Sequence, residues 1–205
     1  MTQHLNLQEW FAGIDIYLFD QLLKGRLSPD MRLLDAGCGD GRNLIYFFKT
    51  RYNVFAVDQS AEAIAQVRNR ASLLAPHLPS DNFRVGPVER MSFDVASFDV
   101  VISSAVLHFA RDEEHWSDMV KEMWRVLAPG GIFFARLAST AGISDEIKQI
   151  EGRRYHLPDG SDRFLVDEEM LLAMTTRLGG EWLEPLKTVL VHHARSMSNW
   201  CLRKT

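Results

Sequence analysis

Apolar residues along this chain recur with two periods, one near 3.6 and one near 2, in alternating blocks. Ile14, Tyr17, Leu18, Leu22 and Leu23 share one face at helical spacing. Leu27-Ser28-Pro29-Asp30 ends that helix, because proline cannot continue it and forces extended geometry on its predecessor. RLLDA (32–36) then reads as a strand, NLIYFFKT (43–50) as a helix, and NVFAVD (53–58) as a strand closing on an acid. Ser60 is placed to cap a helix over 61–74, with Glu62 in its first turn. NFRVG (82–86) and the β-branched SFDVVISSAV (97–106) are the third and fourth strands. An amphipathic helix over 113–128 stops at Pro129-Gly130-Gly131, and IFFARLA (132–138) is the fifth strand.

The rhythm changes after residue 138. The spacing predicts a short helical stretch over 144–152, then a hairpin over 153–166 turning at Pro158-Asp159-Gly160. Asp167 caps a helix that Gly179-Gly180 closes, and the tail alternates well enough for two strands with a turn near Ser196 to Ser198. Strands alternating with helices imply an α/β fold with a largely parallel sheet covered on both faces. Ligands of such sheets sit beyond the carboxyl ends of the strands. That rule selects the loops beginning near Asp35, Asp58, Gly86, Ser103 and Arg136.

The length of 205 residues suits one domain, spanning 1–205, with residues 1–29 as an N-terminal helical segment and 139–166 as an insertion. A formal net charge of −4 argues against a nucleic-acid partner, whose binding draws on phosphate neutralisation. No segment is long and apolar enough for a membrane span, and MTQHLNLQEW has no signal-peptide pattern, so a cytoplasmic protein is expected. Cys38 and Cys201 match no zinc or redox spacing, and the adjacent His192 and His193 would face opposite sides of a strand, so no metal is expected. Composition says nothing of the oligomeric state.

The chemistry concentrates in LLDAGCGDGRN. Glycines let backbone approach a ligand closely, and a following helix start offers unpaired N–H groups to an anion. A P-loop is excluded because no Gly-Lys-Ser/Thr follows. A dinucleotide fingerprint needs a small sixth residue, and that place holds Arg42. Asp58 ends the next strand, where an acid grips ribose hydroxyls, which suits any nucleoside cofactor.

Taken in order, LLDAGCGDGRN, VFAVDQS, SFDVVISSAVLHF and MWRVLAPGGIFFARL resemble class I S-adenosylmethionine-dependent methyltransferases over about residues 30 to 138. The resemblance implies a Rossmann-like, seven-stranded, mostly parallel sheet with its last strand antiparallel and a hairpin lid after strand five. S-adenosylmethionine would be the cofactor and S-adenosylhomocysteine the product. Asp35, Gly37 and Gly39 would lie beside the methionine part, Asp58 on the ribose and Gln59 beside the adenine. Val88 and Glu89 replace the family's usual Gly-Asp-Ala near the adenine amino group, and Ser103 would stand near the transferring methyl. Gly41-Arg42-Asn43 is similar to the same stretch in tellurite-resistance-type and other small-molecule enzymes, which adds Asn43 to the cofactor set. Arg42 and Tyr17 are further candidates for the cofactor carboxylate.

Methyl transfer from a sulfonium asks mainly for alignment and exclusion of water, and needs a base only when the nucleophile arrives protonated. His108, just past the fourth strand, is the candidate base. Ser103-Ser104-Ala105-Val106 is not the Asn/Asp-Pro-Pro-aromatic motif of amide and nucleobase N-methylating enzymes, so a small-molecule acceptor is expected. Arg136, Tyr155 and Arg163 form a candidate pocket for an anionic one. A cofactor-binding protein without catalysis and an NAD-type oxidoreductase are the alternative readings.

Overall fold

The computed structural model describes residues 6–205, so the first five residues of the N-terminal segment lie outside the described part. Every α-helix but α3, which follows Leu44, begins where a short polar side chain satisfies an otherwise free N–H group. Asn6 caps α1 (Leu7–Phe11) and Asp15 caps α2 (Ile16–Leu23). Then follow β1 (Arg32–Ala36), α3 (Ile45–Lys49) and β2 (Asn53–Asp58). Ser60 accepts from the Ala63 N–H at the start of α4 (Ala61–Leu74), which leads to β3 (Phe83–Val85) and β4 (Phe98–Ser104). Asp112 caps α5 (Glu113–Val126), which runs into β5 (Leu127–Ala138). The insertion holds β6 (Lys148–Glu151), β7 (Arg154–His156) and β8 (Asp162–Phe164). Asp167 caps α6 (Glu168–Leu178), and β9 (Gly180–Trp182), β10 (Lys187–Val191) and β11 (Arg195–Lys204) complete the chain.

The main sheet runs β10-β11-β5-β4-β1-β2-β3, with short β9 paired to β11 beside that path. The five strands from β3 to β5 are parallel, and β11 lies antiparallel to both β5 and β10. Successive residues of the central strands feed opposite faces. Leu34, Val101 and Phe133 join Trp116, Met123 and Leu171 of α5 and α6 on one side. Leu33, Val100 and Phe134 join Leu18, Phe47 and Val67 of α2, α3 and α4 on the other. Strands buried on both faces read as continuous apolar runs, as these do.

Three local expectations are corrected. The helix before Pro129 stops at Val126, and residues 127–138 form one long strand. The stretch 144–152 is not a helix: Lys148 and Gln149 pair antiparallel with His156 and Tyr155, so the hairpin of β7 and β8 has a third strand. The turn in the tail falls at His192 to Ala194, with φ of 50° and 54° at the two histidines. Ser196 and Ser198 lie buried inside β11, where Ser198 donates to the Ser139 hydroxyl at 2.8 Å and meets Thr188 at 2.7 Å. Serines that satisfy one another across strands do not need the solvent a turn provides.

β11 is tied to α6 by one buried hydrogen bond, from Trp200 Nε1 to Thr175 Oγ1 at 2.9 Å. Thr175→Val keeps the shape and leaves the indole N–H unsatisfied, so urea denaturation is expected to show a loss of about 1–3 kcal/mol. Unchanged stability would mean that this bond contributes nothing.

Candidate active site

β1 ends beside β2, and the backbone after it folds over the end of its neighbour. The Gly37 and Cys38 N–H groups both donate to the Val57 carbonyl, at 2.8 and 3.1 Å. Gly37 has φ of 81°, and a Cβ there would come within 2.6 Å of the Val106 side chain. Backbone conformation and close approach thus both require glycine. The Gly39 N–H donates to one oxygen of Asp58 at 2.8 Å, and the Ser60 N–H donates to the other at 2.9 Å. Asp58 therefore fixes the loop before any ligand arrives, and each oxygen keeps a lone pair for a further donor.

Over this loop lies a cavity of about 510 Å³. Of the residues singled out in the sequence, Gly37, Gly39, Arg42, Asp58, Gln59, Val88 and Glu89 line it. Ser104, Arg111 and His115 line it as well and were not foreseen. His115 Nε2 lies 3.3 Å from Glu89 Oε1, outside hydrogen-bond geometry.

Asp35, Asn43, Ser103 and Tyr17 stand outside that lining. Asp35 is buried, and its carboxylate has no hydrogen-bond partner among the described residues. Burial pushes its pKa up to about 7; Arg42 opposes the rise and Asp58 adds to it. Ser103 is fully buried with its hydroxyl unpartnered among the described residues, while Ser104, one residue on, reaches the cavity. Alternation along a strand makes that one-residue difference decisive. Asn43 Oδ1 accepts from the Asp15 N–H at 2.9 Å, and the Tyr17 ring lies 5.4 Å from the Arg136 guanidinium.

Asp15, which the sequence did not single out, caps α2 and does more besides. Besides the Tyr17 N–H, its buried carboxylate accepts from Ser104 Oγ at 3.0 Å and from Arg136 at 2.9 Å. Arg42 donates to the Gly13 carbonyl at 2.9 Å and to Ser104 Oγ at 3.3 Å. The N-terminal segment is thereby fastened to the glycine loop and to the ends of β4 and β5.

A second cavity, of about 340 Å³, shares Ala105 and Phe109 with the first. Its walls come from the turn after β4, the end of β5, the hairpin and the start of β11. His108, Arg136 and Arg163 line it, and so does Arg195, which was not foreseen. Tyr155 does not; it packs against the small cluster of Ala138, Leu157, Leu165 and Met197. Burial pushes the pKa of His108 down to about 4, with Arg163 and then Arg136 adding to the effect, so its imidazole is neutral at pH 7. No group of His, Cys, Asp or Glu among the described residues is arranged to hold a metal, and no described helix is long and apolar enough to cross a membrane.

This geometry agrees with comparisons to known proteins. A family model described as a methyltransferase domain matches residues 34–135. The EEF1A lysine methyltransferase 4 of Mus musculus is 29% identical over 160 residues, which is 72% of this chain and 60% of that protein. The malonyl-[acyl-carrier protein] O-methyltransferase of Enterobacter lignolyticus is 29% identical over 169 residues, 82% of this chain and 61% of that one. Among solved structures, Burkholderia thailandensis 1,6-didemethyltoxoflavin-N1-methyltransferase superposes with a TM-score of 0.69 at 18% identity. That match covers 97% of this chain and 85% of the other, and it speaks for the fold. The chain belongs to the class I S-adenosylmethionine-dependent methyltransferases, and S-adenosylmethionine is its cofactor. It spans 45% to 61% of the length of the curated relatives it matches.

The raised pKa of Asp35 has a measurable sign. The folded chain keeps this proton at pH values where the unfolded chain has released it, so this group's contribution to stability falls as pH rises from about 4 to about 7. Asp35→Asn is expected to remove that slope and to raise Tm relative to the wild type progressively from pH 4 to pH 8. Parallel pH profiles for the two proteins would contradict the assignment.

Proposed function

We propose that this protein transfers the methyl group of S-adenosylmethionine to a small-molecule acceptor that carries an anionic group. The observation that carries the reading is the pair of adjoining cavities, one walled by the glycine loop and Asp58, the other by arginines, which meet at Ala105 and Phe109. Bound cofactor supplies an electrophilic methyl on a positively charged sulfur. The donor and acceptor groups present fit it. Asp58 has free lone pairs for ribose hydroxyls, and Gln59, Val88 and Glu89 form the neighbouring wall for the adenine. Gly37 and Gly39 leave room for the methionine part, and Arg42 offers a cation to its carboxylate. Asp35, Asn43 and Ser103 act from behind the wall. The buried Asp35 shapes the potential under the loop, Asn43 holds Asp15, and Ser103 backs the strand end from which Ser104 projects. Tyr17 supports Arg136 rather than meeting the cofactor.

The chain's own residues supply alignment and exclusion of water, which suffice for a displacement in which charge is lost rather than gained. His108 is neutral at pH 7 and so is able to accept a proton, although its low pKa makes it a weak base. The insertion of residues 139–166, within the single domain 1–205, supplies one wall of the acceptor cavity. The small-molecule reading draws support from the second cavity, whose volume of about 340 Å³ suits a small organic molecule. Neither catalysis-free binding nor nicotinamide chemistry has an observation in its favour.

Calorimetric titration is expected to show binding of S-adenosylmethionine and S-adenosylhomocysteine and none of NAD. Asp58→Ala should weaken the first two at least tenfold, since it removes a ligand and the brace of the glycine loop. Binding of NAD alone would refute the proposal. Methyl transfer itself is tested by S-adenosylhomocysteine release when wild-type protein is incubated with fractionated small metabolites, and its absence with every fraction would favour a binding protein.

A further inference from the structure

The charges around the second cavity narrow the acceptor further than its size does. Arg136 points its charge at Asp15, 2.9 Å away, and the pair is neutral as a unit. Arg163 lies over the face of Phe109, 4.8 Å from the ring centre, and has no carboxylate within ion-pair distance among the described residues. Arg195 lies 3.8 Å from Asp159, which lines the same cavity. His108 adds no charge, because its imidazole is neutral at pH 7, and its buried Nδ1 has no partner among the described residues. The buried Nε of Arg136 is likewise unpartnered there. The guanidinium groups of Arg163 and Arg195, set against the one carboxylate of Asp159, leave a single net positive charge. The remaining wall is apolar, formed by Ala105, Phe109, Ala138, Leu157 and Met197, apart from Ser161, whose hydroxyl donates to Asp159.

We propose that this cavity binds a monocarboxylate with an apolar body, its carboxylate held by Arg163 and Arg195, and that Asp159 discriminates against dianions such as phosphate esters. The inference rests on the methyltransferase reading for the purpose of the site, but the binding it describes does not depend on catalysis. Guanidinium forks match a carboxylate's two oxygens, and the ring of Phe109 places an apolar surface beside them. A phosphate ester brings between one and a half and two negative charges at pH 7, by about the figures general for phosphomonoesters, and would meet Asp159 with charge to spare. An uncharged amide of the same shape would leave Arg163 buried by the ligand without a counter-charge. The carboxylate is a handle: the atom that receives the methyl faces Ala105 and Phe109, where the two cavities join.

The test uses the full chain saturated with S-adenosylhomocysteine and three probes that share a phenyl ring, benzoate, its isostere benzamide and the dianionic phenyl phosphate, titrated by ligand-observed NMR. Benzoate is expected to bind at least tenfold more tightly than either of the others. Arg163→Gln and Arg195→Gln should each weaken benzoate at least fivefold while S-adenosylhomocysteine affinity stays within twofold of wild type. Asp159→Asn should improve phenyl phosphate at least fivefold, a gain that a merely structural role for Asp159 would not produce. Equal binding of benzoate and benzamide, tighter wild-type binding of phenyl phosphate, no binding of any probe, or indifference to the arginine substitutions would each overturn the proposal. Failure of S-adenosylhomocysteine to bind would instead overturn the methyltransferase reading, and the same titrations on unloaded protein would still decide the acceptor cavity.

Discussion

One buried carboxylate, that of Asp15, is the constraint on which the functional end of this molecule depends. A charge of that kind is tolerated only when its hydrogen bonds are met; here three parts of the chain meet them, and a fourth holds the backbone N–H of the same residue. The Tyr17 N–H starts α2, Ser104 ends β4, Arg136 nearly ends β5, and Asn43 of the glycine loop holds the Asp15 N–H. Removing any one contact would leave a costly group half-satisfied, so the four parts hold together as one. The same carboxylate cancels Arg136, and that cancellation decides which cations remain to meet a ligand in the second cavity.

The order of strands and helices was legible because its causes are local. Apolar runs at the correct period, Ser60 and Asp167 at helix starts, and glycine at the closing turn of α6 all act within a few residues. The glycine loop was legible for the same reason, since Gly37 and Asp58 have to satisfy geometry within consecutive strands. What escaped the sequence depends on register or on distant pairing. Ser103 and Ser104 are indistinguishable until the strand's phase is known. The helical pattern over 144–152 gave way because β7 offers Lys148 and Gln149 a partner strand, and tertiary pairing overrides a weak propensity. Ser196 and Ser198 look like turn residues, yet hydroxyls on Ser139 and Thr188 let them sit inside a strand. Asp15 and Arg136 are 121 positions apart, and no spacing rule joins them.

The single antiparallel strand has an effect that parallel strands cannot have. Parallel strands offer only their carboxyl ends to the site, whereas β11 runs the other way and begins where its neighbour β5 ends. Its first residues, Arg195 and Met197, are therefore delivered to the second cavity together with the hairpin. The site is thus built from two sources, strand ends that turn over the first cavity and a strand start that closes the second.

That division has a bearing on how such a scaffold diversifies. None of the residues lining the first cavity comes from 139–166 or from 187–205, while the second draws Leu157, Asp159, Ser161, Arg163, Arg195 and Met197 from those stretches. Only Ala105 and Phe109 belong to both. Substitutions accumulating in the hairpin or at the His192 to Ala194 turn can therefore reshape one chamber while the walls of the other stay intact. The molecule is modular at the level of its cavities although it is continuous at the level of its sheet, and grafting a foreign hairpin and turn is a rational route to a reshaped second cavity beside an unchanged first one.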